Sequence, residues 1–266
     1  MTVATIEGRM GKGKSVTATF LAVTDWLELG RKIVANYFID LEAINMRPLS
    51  LTERTPEIVK SLDEGKIPPE AEKLLIDAGA SNVLEINKRL GKKWWIKTDI
   101  GTFILWDDKP IDKIILFAYV PEKKVAEDDW IHLDYDIFVD AMKKEETLYD
   151  KTVVVDEAYL FASSRMSMSG FNQLFSYFNL QARKRDVDLY LITQQFSNLE
   201  IRSRLNTDVR IFVSMDKVSG LCSVRLMDLG SGRRRGLKFY APDYYPFYDT
   251  TEIPSLRPGH IRAVKL

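Results

Sequence analysis

Gly8-Arg9-Met10-Gly11-Lys12-Gly13-Lys14-Ser15 is the stretch that decides the fold. It matches G-x-x-x-x-G-K-[ST], a loop whose glycines let consecutive backbone N–H groups converge on a phosphate while the following helix presents the positive end of its dipole. The motif requires a strand before it and a helix after it, and both are legible. Thr2-Val3-Ala4-Thr5-Ile6-Glu7 alternates and is β-branched, which predicts a strand. From about Lys14 to Leu29 the residues Phe20, Leu21, Val23 and Leu27 supply an apolar helical face, and Gly30 stops it. Lys32 to Asp40 reads as a second strand. Strand, loop, helix and strand in such close succession predict a βαβ unit and a parallel sheet.

In such a loop the backbone from Gly8 through Gly11, Lys12, Gly13, Lys14, Ser15 and Val16 would cradle the phosphates of ATP. Lys14 would reach the β- and γ-phosphates, and the Ser15 hydroxyl would enter the shell of a Mg²⁺ ion. The chemistry also needs acids. Val153-Val154-Val155-Asp156-Glu157 is an apolar strand ending in two carboxylates, at the sheet edge where α/β proteins bind ligands. Asp156 would hold the metal and Glu157 would orient and deprotonate an attacking water. That pairing argues for hydrolysis, since a small-molecule kinase needs no carboxylate to activate water.

Leu191-Ile192-Thr193-Gln194 is a third strand, ending in an amide that can contact the γ-phosphate or the water; Gln195 could serve instead. A cation is the remaining requirement of a hydrolytic site. Arg183, Lys184 and Arg185 lie at the exit of the helix preceding that strand, where basic residues also suit the helix dipole, and Arg202, Arg204 and Arg210 are further candidates.

Between these parts the regular alternation breaks. Pro56 opens a helix, a second runs from Glu70 to Ala78, and Trp94–Ile96 with Thr102–Trp106 flank a turn at Asp99 to Gly101, a β-hairpin. Ile111 to Val120 reads as a strand and Ile137 to Glu145 as a helix. After the polar segment Ser163 to Gly170 a helix runs to about Arg185, followed by strands at 187–193 and 209–213. A hairpin then carries Ser231-Gly232-Arg233-Arg234-Arg235-Gly236 at its tip.

The chain of 266 residues has 38 basic and 38 acidic side chains. The balance hides an uneven distribution: residues 51–150 hold 15 basic and 22 acidic groups, and residues 151–266 hold 17 and 11. One cysteine, Cys222, excludes an internal disulfide, and two distant histidines exclude a zinc site of the usual kind. No apolar run approaches the roughly 20 residues of a membrane span, and the start lacks a signal peptide, so a soluble intracellular protein is expected.

The segment Gln181-Ala182-Arg183-Lys184-Arg185-Asp186-Val187-Asp188-Leu189-Tyr190-Leu191-Ile192-Thr193-Gln194, taken with the phosphate loop and Asp156-Glu157, resembles the FtsK–HerA group of P-loop ATPases. Family members carry an arginine eleven positions before the strand-end glutamine, which implies Arg183 as a finger acting on a neighbouring subunit. Within the group, the compact length and Asp-Glu-Ala-Tyr look like viral genome-packaging ATPases, and the Zot-like assembly proteins of filamentous phages are similar too. Tyr248-Asp249-Thr250 with Glu252 matches a terminal element of those relatives.

The resemblance covers roughly residues 2–40 and 150–215. It implies a RecA-like α/β core, with a central, mainly parallel sheet flanked by helices. We read 1–266 as a single P-loop ATPase domain with core 1–40 and 111–216, an inserted α+β segment 41–110, and a C-terminal extension 217–266 carrying the hairpin. The expected activity is ATP-driven translocation of double-stranded DNA during virion packaging. The expected assembly is a homo-oligomeric ring, a hexamer, with a capsid or portal-vertex protein as partner, in the host cytoplasm or associated with the virion. Arg165, Arg233, Arg234 and Arg235 are the candidate DNA contacts, because guanidinium groups bind backbone phosphates without regard to sequence. Zot-like extrusion of a single-stranded genome and a nucleotide switch without turnover are the alternatives.

Overall fold

All five residues of the strand entering the glycine loop are buried, which a strand achieves only when both faces of its sheet are covered. The computed structural model describes residues 1–89, 92–108, 112–143, 148–160, 162 and 170–248. In chain order the elements are β1 (Val3–Glu7), α1 (Lys14–Leu29), β2 (Lys32–Ala35), β3 (Met46–Glu53), α2 (Pro56–Asp63), α3 (Pro69–Asp77), β4 (Val83–Arg89), β5 (Lys93–Thr98), β6 (Thr102–Asp108) and β7 (Lys113–Tyr119). They continue with β8 (Trp130–His132), α4 (Tyr135–Lys143), β9 (Lys151–Val155), α5 (Gly170–Gln181), β10 (Asp188–Thr193), α6 (Ile201–Leu205), β11 (Val209–Met215), β12 (Leu221–Asp228) and β13 (Arg234–Tyr240). The chain divides into two compact units, one built from Met1–Ile39 and the residues from Ala126 on, the other from Asp40–Val125.

The first unit holds an eight-stranded sheet in the order β13-β12-β11-β1-β10-β9-β2-β8. From β11 to β8 every pairing is parallel, and β12 and β13 join antiparallel. Register aligns Glu7 with Thr193, Leu191 with Val155 and Val154 with Ala35, so the central strands end along one edge. Phe138, Phe175 and Phe178 pack edge to face at 5.4–5.6 Å in a core that includes Val153, Val155, Leu189 and Leu191. Each such ring pair adds about 0.5–1.5 kcal/mol beyond area burial.

Helix α1 packs differently from its apolar pattern. Leu27 is exposed, whereas Thr17 and Thr19 are fully buried. Their hydroxyls make this tolerable: Thr17 donates to the Gly13 carbonyl at 2.7 Å, and Thr19 shares a hydrogen bond with the Tyr37 hydroxyl at 3.0 Å. Phe20 stacks on Phe239 at 4.5 Å and meets Tyr244 edge-on, so the aromatic residues near Tyr244 serve packing.

The second unit is a five-stranded antiparallel sheet, β3-β7-β6-β5-β4. Ile58 and Leu62 of α2 and Ala71 and Leu75 of α3 share a core with Trp94, Ile96, Phe103, Leu105, Ile114 and Leu116. Thr55 caps α2 by accepting from the Ile58 N–H at 3.3 Å, with Pro56 in the first turn. Lys93 is buried against Asp40, and Arg54 grips Asp107 through two nitrogens at 2.5 and 3.3 Å.

The two units together correct three expectations. The insertion spans Asp40–Val125 rather than 41–110, because the strand expected to open the second half of the core, now β7, pairs with β3 and β6. Second, the acid excess of residues 51–150 lies mostly outside this insertion: residues 40–125 hold 14 basic and 15 acidic side chains, while residues 126–150 hold 2 and 9. Third, the C-terminal hairpin is no appendage, since β12 pairs with β11 and widens the main sheet. Strands β3 and β4 escaped the sequence reading because both are sheet edges whose side chains are mostly exposed, leaving no apolar alternation. Among the described residues no helix is long and apolar enough to cross a membrane.

Candidate active site

The loop from Gly8 to Gly13 joins the end of β1 to the start of α1. Gly13 has φ 86°, and a methyl placed on it would lie 3.3 Å from both Cys222 Sγ and Met215 Cβ. At Gly8 a methyl would lie 2.9 Å from the Val213 carbonyl oxygen. Glycine is thus demanded by left-handed backbone at one position and by close approach at the other. The N–H of Thr17 is the one bonded to Gly13, so those of Lys14, Ser15 and Val16 precede the helical ladder and stay available to an anion. Val16 is itself buried, which leaves only its backbone for that role. Lys14 is also buried, and its Nζ donates to the Arg9 carbonyl at 3.3 Å, inside the loop's own curve.

Asp156 and Glu157 follow β9 at the same edge. Ser15 Oγ donates to Asp156 Oδ2 at 2.7 Å, so residues 141 positions apart meet as a metal shell would need. Burial pushes the Asp156 carboxyl above its usual range and the Glu157 charge adds to this, while the Ser15 hydroxyl, the Glu157 N–H and Lys14 oppose it. Asp156 Oδ1 accepts the Glu157 N–H at 2.8 Å. Glu157 stands at φ 50°, unusual for a residue with a side chain; the Tyr159 hydroxyl bonds to its carboxylate, and among the described residues its buried Oε2 has no hydrogen-bond partner.

Asn36, just past β2, is a residue the sequence reading missed. Its Oδ1 accepts the Asp156 N–H at 2.7 Å and its Nδ2 donates to the Asp156 carbonyl at 2.9 Å. This fully buried amide fixes the backbone of the acid from both sides. Its signal was a single polar residue at the end of Ile33-Val34-Ala35. Gln194 sits one residue beyond β10, half-buried, on the strand between the loop strand and the acid strand.

The order β11-β1-β10-β9-β2 places one strand between the phosphate-loop strand and the Asp-Glu strand. This is the RecA-like fold of the P-loop ATPases. Similar solved structures include the N-terminal domain of zonular occludens toxin from Neisseria meningitidis, with 14% identity over 93% of this chain and 98% of that one and a TM-score of 0.45. The genome packaging NTPase B204 of Sulfolobus turreted icosahedral virus 2, bound to ATP-gammaS, has 10% identity over 88% and 96%, with a TM-score of 0.41. A KaiC-like protein from the hyperthermophilic archaeon Pyrococcus horikoshii has 10% identity over 89% and 83%, with a TM-score of 0.39. No protein-family model matches the sequence, and no curated protein does.

The arginines of the chain separate by position. Arg183 and Lys184 are exposed, but Arg185 is buried and donates to Gln181 Oε1 at 3.1 Å. Arg183 pairs with Asp208 and is 66% exposed, at the start of β10, whereas Gln194 follows its end. Six strand residues separate those ends by roughly 20 Å. Arg183 is therefore far from the loop and the acid pair of its own chain. Arg210 is committed elsewhere: its Nε and a terminal nitrogen bind both oxygens of buried Glu7, the last residue of β1, at 2.7 and 2.8 Å. Its guanidinium lies 4.4 Å from the Phe196 ring. Arg202 sits 3.7 Å from Glu200, and Arg204 Nε is buried without a partner among the described residues.

Arg233, Arg234 and Arg235 are exposed. Since β12 runs antiparallel to β11, Cys222 pairs with Met215 near the loop and Asp228 with Val209 at the other end, so these arginines share the edge of Arg183. Arg165 falls outside the described residues, as do Met166, Met168, Asp249, Thr250 and Glu252. Tyr248 is described: it forms a bridge with Ile39 and packs edge-on to Tyr37.

Proposed function

We propose that this chain hydrolyses ATP and couples the hydrolysis to movement of double-stranded DNA, as the genome-packaging motor of a virus. The observation that carries the proposal is the meeting of Ser15, Asp156 and Glu157 at the strand ends beside Lys14, with Glu157 Oε2 buried and without a hydrogen-bond partner among the described residues. Lys14 binds the phosphate tail. Glu157 takes the proton of the attacking water, and Gln194 orients that water or the γ-phosphate. The donor set fits Mg²⁺: a hydroxyl and a carboxylate adjoin, and among the described residues no cluster of three or more potential ligands exists, so an ion would complete its shell with phosphate and water. When bound, the ion neutralises phosphate charge.

Arg183, remote from its own site and exposed, suits a finger inserted into a neighbour's site, which requires a homo-oligomeric ring such as a hexamer. Arg233–Arg235 supply sequence-independent phosphate contacts. A capsid or portal-vertex partner, and a place in the host cytoplasm or on the virion, belong to the same reading.

The test is steady-state phosphate release with and without linear double-stranded DNA over a protein concentration series, beside Glu157→Gln. A rate that rises with DNA and steeply with protein concentration, and vanishes in the variant, supports the motor. Stimulation by single-stranded DNA alone points to the extrusion alternative, and indifference to DNA and concentration leaves a nucleotide switch.

A further inference from the structure

The turn between β11 and β12 puts a second lysine against the phosphate loop. A methyl placed on Gly11 would lie 3.4 Å from Lys217 Nζ and 3.6 Å from its Cε. Among the described residues Lys217 has no ion-pair partner, whereas the preceding Asp216 is engaged by the turn itself. Asp216 accepts from the Val218 N–H at 3.2 Å and the Ser219 hydroxyl at 2.6 Å, and its carboxyl is held below the usual range, first by that hydroxyl. The nearby Lys12 charge acts in the same direction, so the turn leans on the loop at two points. Gly220 closes the turn by donating to the Asp216 carbonyl at 2.9 Å and packs against the Pro242 ring. A braced turn holds Lys217 beside the loop, exposed and without an ion pair among the described residues.

We infer that Lys217 is a second, same-subunit cation for the nucleoside triphosphate's phosphate tail, acting during cleavage; this rests on the ATPase reading above. In that step water oxygen bonds to the γ-phosphorus, its proton passes to Glu157, and the bond to the bridging oxygen breaks with its electron pair on the β-phosphate. Lys14 approaches from the loop's base and Lys217 from its tip at Gly11. The additional positive charge meets the negative charge that grows on the leaving oxygen, where a fixed charge lowers the barrier most. An exposed lysine that merely solvates the turn would leave the chemical step untouched.

The experiment uses the full-length protein with saturating linear DNA. Phosphate release over an ATP series is compared for the unaltered chain, Lys217→Gln, Lys217→Arg and Glu157→Gln, with ADP binding and thermal unfolding measured for each. The expected result is a kcat about tenfold lower or more for Lys217→Gln, little change in KM or ADP binding, and recovery in Lys217→Arg. A Lys217→Gln variant with unaltered kcat overturns the inference while the loss in Glu157→Gln upholds the ATPase reading. An arginine variant as slow as the glutamine variant, with both melting early, makes the lysine structural. No phosphate release from the unaltered chain removes both.

Discussion

Where the strands of the main sheet begin, Arg31 is held by Asp150 at 3.2 Å and Asp186 at 2.9 Å and also pairs with Asp188, which takes the N-terminal ammonium at 3.3 Å. Asp208 accepts the Val3 N–H at 3.0 Å while it pairs with Arg183. Where the same strands end, Lys14 donates to a backbone carbonyl, Asp156 is buried beside a hydroxyl, and Glu157, on a strained backbone, keeps an oxygen without a partner among the described residues. At the first edge Arg31 and Arg183 are neutralised by carboxylates of the chain. At the second, Glu7 is taken by Arg210, but among the described residues Lys14, Asp156 and Glu157 form no ion pair. Buried polar groups are costly unless paired, so an edge that leaves them unpaired is the candidate ligand site of the chain.

Substitutions put this contrast at risk. The largest effect is expected at the one residue of the paired edge assigned to chemistry: Arg183→Ala should lower hydrolysis by about 10³–10⁵-fold. Mixing it with Glu157→Gln should restore some activity, because mixed rings form sites with both groups intact; a silent mixture would deny the action in trans. Glu157→Gln alone should cost about 10²–10⁴-fold with unaltered thermal unfolding, read by phosphate release and calorimetry. Arg31→Ala should do the reverse. Its loss leaves the buried Asp188 with the N-terminal ammonium alone, while Asp150 and Asp186 are exposed to water, for a destabilisation of about 1–3 kcal/mol in denaturant titration, with turnover unchanged well below the melting temperature. Asn36→Ala probes the difference between the edges most finely, since it exposes no charge. It should cost about 1–3 kcal/mol for the Asp156 backbone groups left unpaired, together with a loss of turnover that the Arg31 variant lacks.

Local chemistry made much of the nucleotide edge legible. A glycine loop, a lysine and a serine carry their meaning in consecutive positions, and Val153–Glu157 announces a buried strand with acids at its exit. The second unit was harder. Its edge strands β3 and β4 bury too little to impose a pattern, and β7, apolar in Ile114, Leu116 and Phe117, has the composition of a strand of either sheet. Composition names a strand but not its partner, because pairing is settled by contacts between distant segments.

Residues a few positions apart were enough to establish the phosphate loop, the acid pair, the glutamine strand and the βαβ opening, so these could be read from the chain alone. It took the folded arrangement to show that β7 belongs to the inserted sheet, that Asn36 clamps Asp156, that Arg210 is consumed by Glu7, and that Lys217 stands over Gly11. Each of those joins residues tens to hundreds of positions apart, and no one-dimensional pattern records which charge a fold will bring to which.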